Sequence, residues 1–172
     1  MKTILLTIAS LFTIIINAAA QGAPPTTSDF CTVMEKVLLS GPKFESLKGA
    51  KKGANNTATS YESLVSVPGS INSEVNVSKM GSSSFLVNLI KTTDETEATR
   101  KYNETAKALD CNWIMGVMDI EEQELTYTKT RIWSFTTLNA DYKTSHRSLT
   151  IEVVWYKHFN GSGFEVFMKI SY

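Results

Sequence analysis

The chain has no excess of charge: 17 Lys and Arg stand against 17 Asp and Glu in 172 residues. Nucleic-acid binders ordinarily concentrate a basic excess on one face, because neutralising phosphate supplies most of their affinity, so no nucleic-acid partner is expected. Histidine is scarce. The two present, His146 and His158, stand at no ligand spacing from either of the two cysteines, which leaves a zinc site without close partner ligands. The sequence also lacks a G-x-S-x-G elbow, a Gly-rich phosphate loop, an H-E-x-x-H pair and a C-x-x-C pair, the motifs that usually announce hydrolase, nucleotide, metalloprotease or redox chemistry. Past residue 20 no apolar run approaches the roughly 18 residues a membrane helix needs. Neither a cofactor nor a transmembrane anchor is therefore expected.

What the chain does have begins at its start. Met1-Lys2 precedes an apolar run from Ile4 to Ile16 and then Asn17-Ala18-Ala19-Ala20. One positive charge, a short greasy segment and small residues before Gln21 form an export signal over 1–20, which predicts a periplasmic or secreted protein. The Ala20-Gln21 junction resembles those of bacterial export signals. Cys31 lies too far past Ala20 to be the lipid-modified first residue of a lipoprotein. Residues 21–27, with Pro24-Pro25, read as an extended lead-in, and 28–172 as one α+β domain. With Lys2 removed, the basic residues number 16 against 17 acidic, a net charge of −1.

Two cysteines in an exported chain are expected to pair, because the compartment oxidises them. A Cys31–Cys111 bridge would close a loop of 80 residues, for which chain entropy gives up to about 4.5 kcal/mol.

Hydrophobic spacing predicts the elements. Phe30, Val33, Met34, Val37 and Leu38 share one face of a helix that starts at Ser28 or Asp29 and ends at Gly41-Pro42. A short helical piece, Lys43 to Lys48 with Phe44 and Leu47 inward, stops at Gly49. Lys43, Lys48, Lys51 and Lys52 read as a solvated loop. Strands follow at Ser60–Val67, Ser73–Lys79 and Phe85–Lys91. Asp94-x-x-Glu97 caps a second helix whose inner face is Ala98, Tyr102, Thr105 and Leu109. Cys111 to Ile120 fits a helical turn with a buried loop or a short strand. Three alternating runs close the chain: Glu124–Thr137, Ser148–Phe159 and Gly163–Tyr172, the last two joined at Asn160-Gly161-Ser162. The sum is an α+β two-layer sandwich: an antiparallel sheet of about six strands with two main helices on one face. A bridge from the start of the first helix to the end of the second further predicts that the two run antiparallel, side by side.

Candidate functional groups are few. Gly81-Ser82-Ser83-Ser84 reads as a turn, since a nucleophilic serine needs a positioned base. Asp119, Glu121, Glu122 and Glu124 lack the glycine and the alternation of a calcium loop, and read as a solvated connection. Asn55, Asn76, Asn103 and Asn160 begin N-x-[ST] patterns, two of them inside predicted elements. Lys129 and Arg131 interrupt an inward alternation through Leu125, Tyr127, Trp133 and Phe135, predicting a β-bulge or a strand end that runs past the helices.

One surface carries more information. If Trp155 and Phe164 lie under the helices, the opposite face shows Ile132, Val154, Tyr156, His158 and Phe167 among hydroxyls and charges, an aromatic-plus-polar mixture suited to binding. The expected function is an exported, non-catalytic binding or interaction domain whose partner is a protein, a peptide or a small molecule of the cell envelope. The alternatives are an envelope structural or chaperone-like component working through a strand edge, and a small hydrolase assembled from His146, Asp141 and His158.

Overall fold

The computed structural model describes residues 27–111, 118–135 and 149–172. Residues 1–20, read as an export signal, most of the expected lead-in, Trp113, Met115, Asp141 and His146 lie outside them.

The first helix, α1, spans Thr27–Leu39, and Phe30, Met34, Val37 and Leu38 are all buried at the expected spacing. The helix expected over Lys43–Lys48 is reduced to one 3-10 turn, Glu45–Leu47, because Phe44 just before it takes left-handed backbone at φ 52°. That conformation costs a bulky residue about 1–2 kcal/mol. Complete burial of the ring offsets it, against Phe85 at 5.9 Å and Tyr172 at 5.5 Å.

Among the described residues eight strands, where the sequence predicts about six, form one antiparallel sheet. They are β1 (Lys48–Ala54), β2 (Ala58–Ser63), β3 (Asn72–Ser78), β4 (Ser83–Thr92), then after α2 (Glu95–Ala108) β5 (Met118–Leu125), β6 (Thr128–Phe135), β7 (Thr150–Lys157) and β8 (Phe164–Ser171). Their spatial order is β1-β2-β3-β4-β8-β7-β6-β5. Each helix is thus followed by a four-strand meander, and the two meanders join through their last strands.

The two strands beyond expectation are the two edges. β1 contains three of the four lysines read as a loop, Lys48, Lys51 and Lys52, and β5 contains the acidic run read as a connection. The run Glu124–Thr137 is likewise not one strand. Leu125 pairs with Thr128 across a two-residue loop, Thr126-Tyr127, so Leu125 and Tyr127 are exposed and only Trp133 of that set is buried among those whose side chains are described.

α2 is capped as its sequence predicts. Asp94 Oδ1 accepts from the backbone N–H groups of Thr96 at 2.8 Å and Glu97 at 3.3 Å. The Thr92 hydroxyl donates to Glu97 at 2.7 Å and accepts from the Asp94 N–H at 3.1 Å, fastening the end of β4 to the cap. Ala98, Thr105 and Leu109 are buried as expected.

One core joins the helices to a single sheet face. Val75, Phe85, Val87, Trp133, Ile151, Val153, Trp155, Val166, Met168 and Ile170 belong to it together with α1 and α2. Cys31 is bonded to Cys111, with Cα atoms 5.9 Å apart. The Tyr172 hydroxyl donates to the Leu38 carbonyl at 2.9 Å. The bridge and this hydrogen bond hold α1 at two points, Cys31 beside the chain just past α2 and Leu38 beside the residue that follows β8.

Candidate functional site

The sheet face turned away from the helices is built by strict alternation. Phe167 stands opposite Val154 on β7 and Asn88 on β4; Tyr156 stands opposite Glu165 and Thr128; Ile132 stands opposite Glu152 and Glu121. The five residues expected to share a face, Ile132, Val154, Tyr156, His158 and Phe167, are thus brought together. Their exposure differs from the expectation. Val154 is only 8% exposed and lies outside the helix-side core, because in-plane neighbours shield a short side chain at the middle of a wide sheet. Ile132, Tyr156, His158 and Phe167 are half-buried.

Charges on this face are paired across strands. Lys91 Nζ lies 2.6 Å from Glu165 Oε1, His158 Nε2 lies 3.3 Å from the same oxygen, and Lys169 faces Glu152 at 3.9 Å. The Lys91 ammonium, hydrogen-bonded to Glu165, holds its carboxyl below the usual carboxylate range against an opposing effect of burial. A depressed folded-state pKa adds stability above the unfolded value of about 4.3, lost as pH falls through the folded value. Acid titration of stability is therefore expected to be shallower below about pH 4 in Glu165→Gln than in the parent. The effect amounts to a fraction of a kcal/mol because the pair is partly solvated. Equal slopes in denaturant titrations of the two proteins would refute it.

Beside this cluster the sheet has a recess of about 290 Å³, lined by Ile71, Asn72, Asn88, Ile90, Lys91 and Glu165 among others. Its origin is a register shift between Asn88 and Ile90, which places one extra residue, Leu89, in β4 opposite β8. Asn88 Nδ2 donates to Asn72 Oδ1 at 2.6 Å across the recess wall. At the other border the rings of Tyr127 and Phe159 lie 4.5 Å apart, and Tyr156 is 6.2 Å from Phe159 and 5.2 Å from His158. Phe159, expected to point inward, lies past the end of β7 and is 73% exposed.

The interruption at Lys129 and Arg131 is a strand running past the helices. β6 pairs with both neighbours without a register shift. The two side chains lie over indoles, Lys129 Nζ at 5.6 Å from the Trp155 ring and Arg131 Cζ at 5.5 Å from that of Trp133. They also meet Glu124 at 3.0 Å and Glu122 at 3.2 Å.

Other candidates take structural places. Asp119 and Glu121 point to the open face and Glu122 and Glu124 to the other, so the acidic run does not converge on one point. Asn55 Oδ1 accepts from the backbone of Thr57 and Ala58 in the β1–β2 turn, and Asn160 Oδ1 accepts from Ser162 N–H. Asn76 accepts from Ser60 across β2 and β3. Gly81, at φ +93°, forms the β3–β4 turn, and Ser83 and Ser84 already belong to β4. His146 and Asp141 lie outside the described residues.

The recess escaped the sequence reading, although Asn88, Lys91 and Glu165 were each assigned to a strand and Asn72 stood just before one. Its walls come from β3, β4 and β8, and no local signal announces that β4 and β8 are neighbours. Among the described residues no helix is long and apolar enough to cross a membrane. Comparison of the chain with protein-family models, with curated proteins and with solved structures yields no match.

Proposed function

We propose that this chain is an exported, non-catalytic binding module, periplasmic or secreted, that engages its partner through the open sheet face. The observation that carries the reading is the composition of that face. Half-buried Tyr156 and Phe167 stand among cross-strand ion pairs, between a recess and an exposed aromatic corner. Rigid aromatic anchors in a polar surround are the usual energetic centres of binding surfaces. Export rests on the leader at 1–20, and the disulfide is in keeping with an oxidising compartment. A protein isolated from its host should begin at Gln21.

The test compares native envelope and secreted fractions captured on the wild-type chain and on the Tyr156→Ala/Phe167→Ala double variant. A specific partner is expected to bind the variant at least about tenfold more weakly, while the thermal transition stays cooperative. A partner retained equally by both proteins would remove this face from the function. A second reading, an envelope structural component working through strand edges, is favoured by the charged edge strands β1 and β5.

A further inference from the structure

The two edges of the sheet carry opposite charge. β1 presents Lys48, Lys51 and Lys52, whereas β5 presents Asp119, Glu121, Glu122 and Glu124. Among the described residues no strand pairs with the outer side of either. Unpaired edges invite pairing, and like charge along an edge is one device that prevents it. Here the device is selective. Two β1 edges repel through lysine, two β5 edges repel through carboxylate, and a β1 edge brought to a β5 edge is the one combination in which charges attract.

We propose that β1 and β5 are complementary docking surfaces for a second copy of this chain, joined edge to edge and head to tail. Continuing the sheet with the helices on the same side sets Lys52 beside Asp119 and Glu121, since Lys52 already reaches the open-face Glu74 at 3.4 Å. Lys51, opposite the helix-side Tyr61, then meets Glu122 and Glu124. Glu122 and Glu124 are already met by Arg131 and Lys129, and Lys52 by Glu74, whereas Lys51, Asp119 and Glu121 have no ion pair among the described residues, so each face of the contact brings an unpaired group against a paired one and the attraction is modest. Two register shifts bend β1, between Lys48 and Lys51 and between Lys51 and Gly53. They keep any shared hydrogen-bonded ladder short, so charge sets the orientation and the contact is weak. A contact between two different surfaces leaves a free edge at each end, and the product is an open chain of copies.

Sedimentation of the processed protein tests this in three steps. Wild type should associate with rising concentration at roughly 10 mM ionic strength and become monomeric near 1 M, where screening shortens the charge range about tenfold. Lys51→Glu/Lys52→Glu, which sets acid against acid on both sides of the contact, and Asp119→Lys/Glu121→Lys, which sets base against base on its open-face side, should each stay monomeric at low salt. An equimolar mixture of the two should associate again, because the unaltered β1 of one variant then meets the unaltered β5 of the other. Tyr156→Ala/Phe167→Ala should assemble as wild type does, which separates this contact from the open face. A wild type that stays monomeric at low salt, or charge variants that associate alone, would overturn the proposal. So would a mixture that remains monomeric when both variants melt cooperatively; wild type's own salt dependence decides the matter if a variant fails to fold.

Discussion

Replacing both Cys31 and Cys111 by serine is expected to lower the unfolding free energy by about 3–4.5 kcal/mol, the upper value being the loop entropy for their separation. The bridge joins positions 80 residues apart. It links the first turn of α1 to the residue chain just past α2, and so ties the first helix to the second half of the sheet. Cys111 is 4% exposed, so a serine hydroxyl there adds a desolvation cost to the lost constraint. At two to four degrees per kcal/mol for a domain of this size, the melting temperature should drop by roughly 10 °C. Denaturant unfolding of the oxidised, reduced and double-serine proteins measures it. A change below about 1 kcal/mol would mean that the bridge constrains a chain already held by α1 packing. The open face should be unaffected, since no group of the disulfide reaches it.

Trp133→Ala should cost a comparable 3–5 kcal/mol, the range for deleting a buried aromatic ring. Trp133 is fully buried on the helix side of β6, opposite Ile151 and Ile120. Its indole N–H has no hydrogen-bond partner among the described residues, so Trp133→Phe, which removes that donor and keeps most of the ring, should cost less than half as much. Phe167→Ala, on the other face and half-buried, should cost only about 1–2 kcal/mol. Equilibrium unfolding of the three variants tests the face assignment directly. Equal losses at positions 133 and 167 would mean that both faces are covered.

Interior elements were legible because burial writes a period into the sequence. Phe30, Met34 and Val37 repeat at helical spacing and are buried, and Phe164, Val166, Met168 and Ile170 alternate as a half-buried strand must. The Asp94 cap and the Asn160-Gly161 turn carry their own chemistry. Edges carry no such period: β1 reads KGAKKGA and β5 reads MDIEEQEL, since a strand with one neighbour buries little on either face. The β5–β6 hairpin escaped because Thr126-Tyr127 turns without positive φ and so needs neither Gly nor Asn. At the candidate site, alternation alone grouped Ile132, Val154, Tyr156, His158 and Phe167. The shielding of Val154 and the recess beside Asn88 depend on the β4–β8 pairing, a tertiary fact with no local signature.

That pairing also bears on how the molecule is made. Every described strand pairs with a strand next to it in the chain, and most of these pairings are hairpins that close quickly. β8 alone must also reach back past β5, β6, β7 and α2 to align Ile170 with Phe85. Loop closure over such a distance is slow relative to hairpin formation. Synthesis delivers strands in order, so β8, which completes the middle of the sheet, arrives after the others. Until Ser171 has emerged, the first meander exposes the apolar flank of β4, with Phe85, Val87 and Leu89 open to any passing strand. A nascent chain of this design is most exposed to misassembly just before β8 emerges, and a factor that covers β4 at that moment would do more for its yield than one acting on either finished edge.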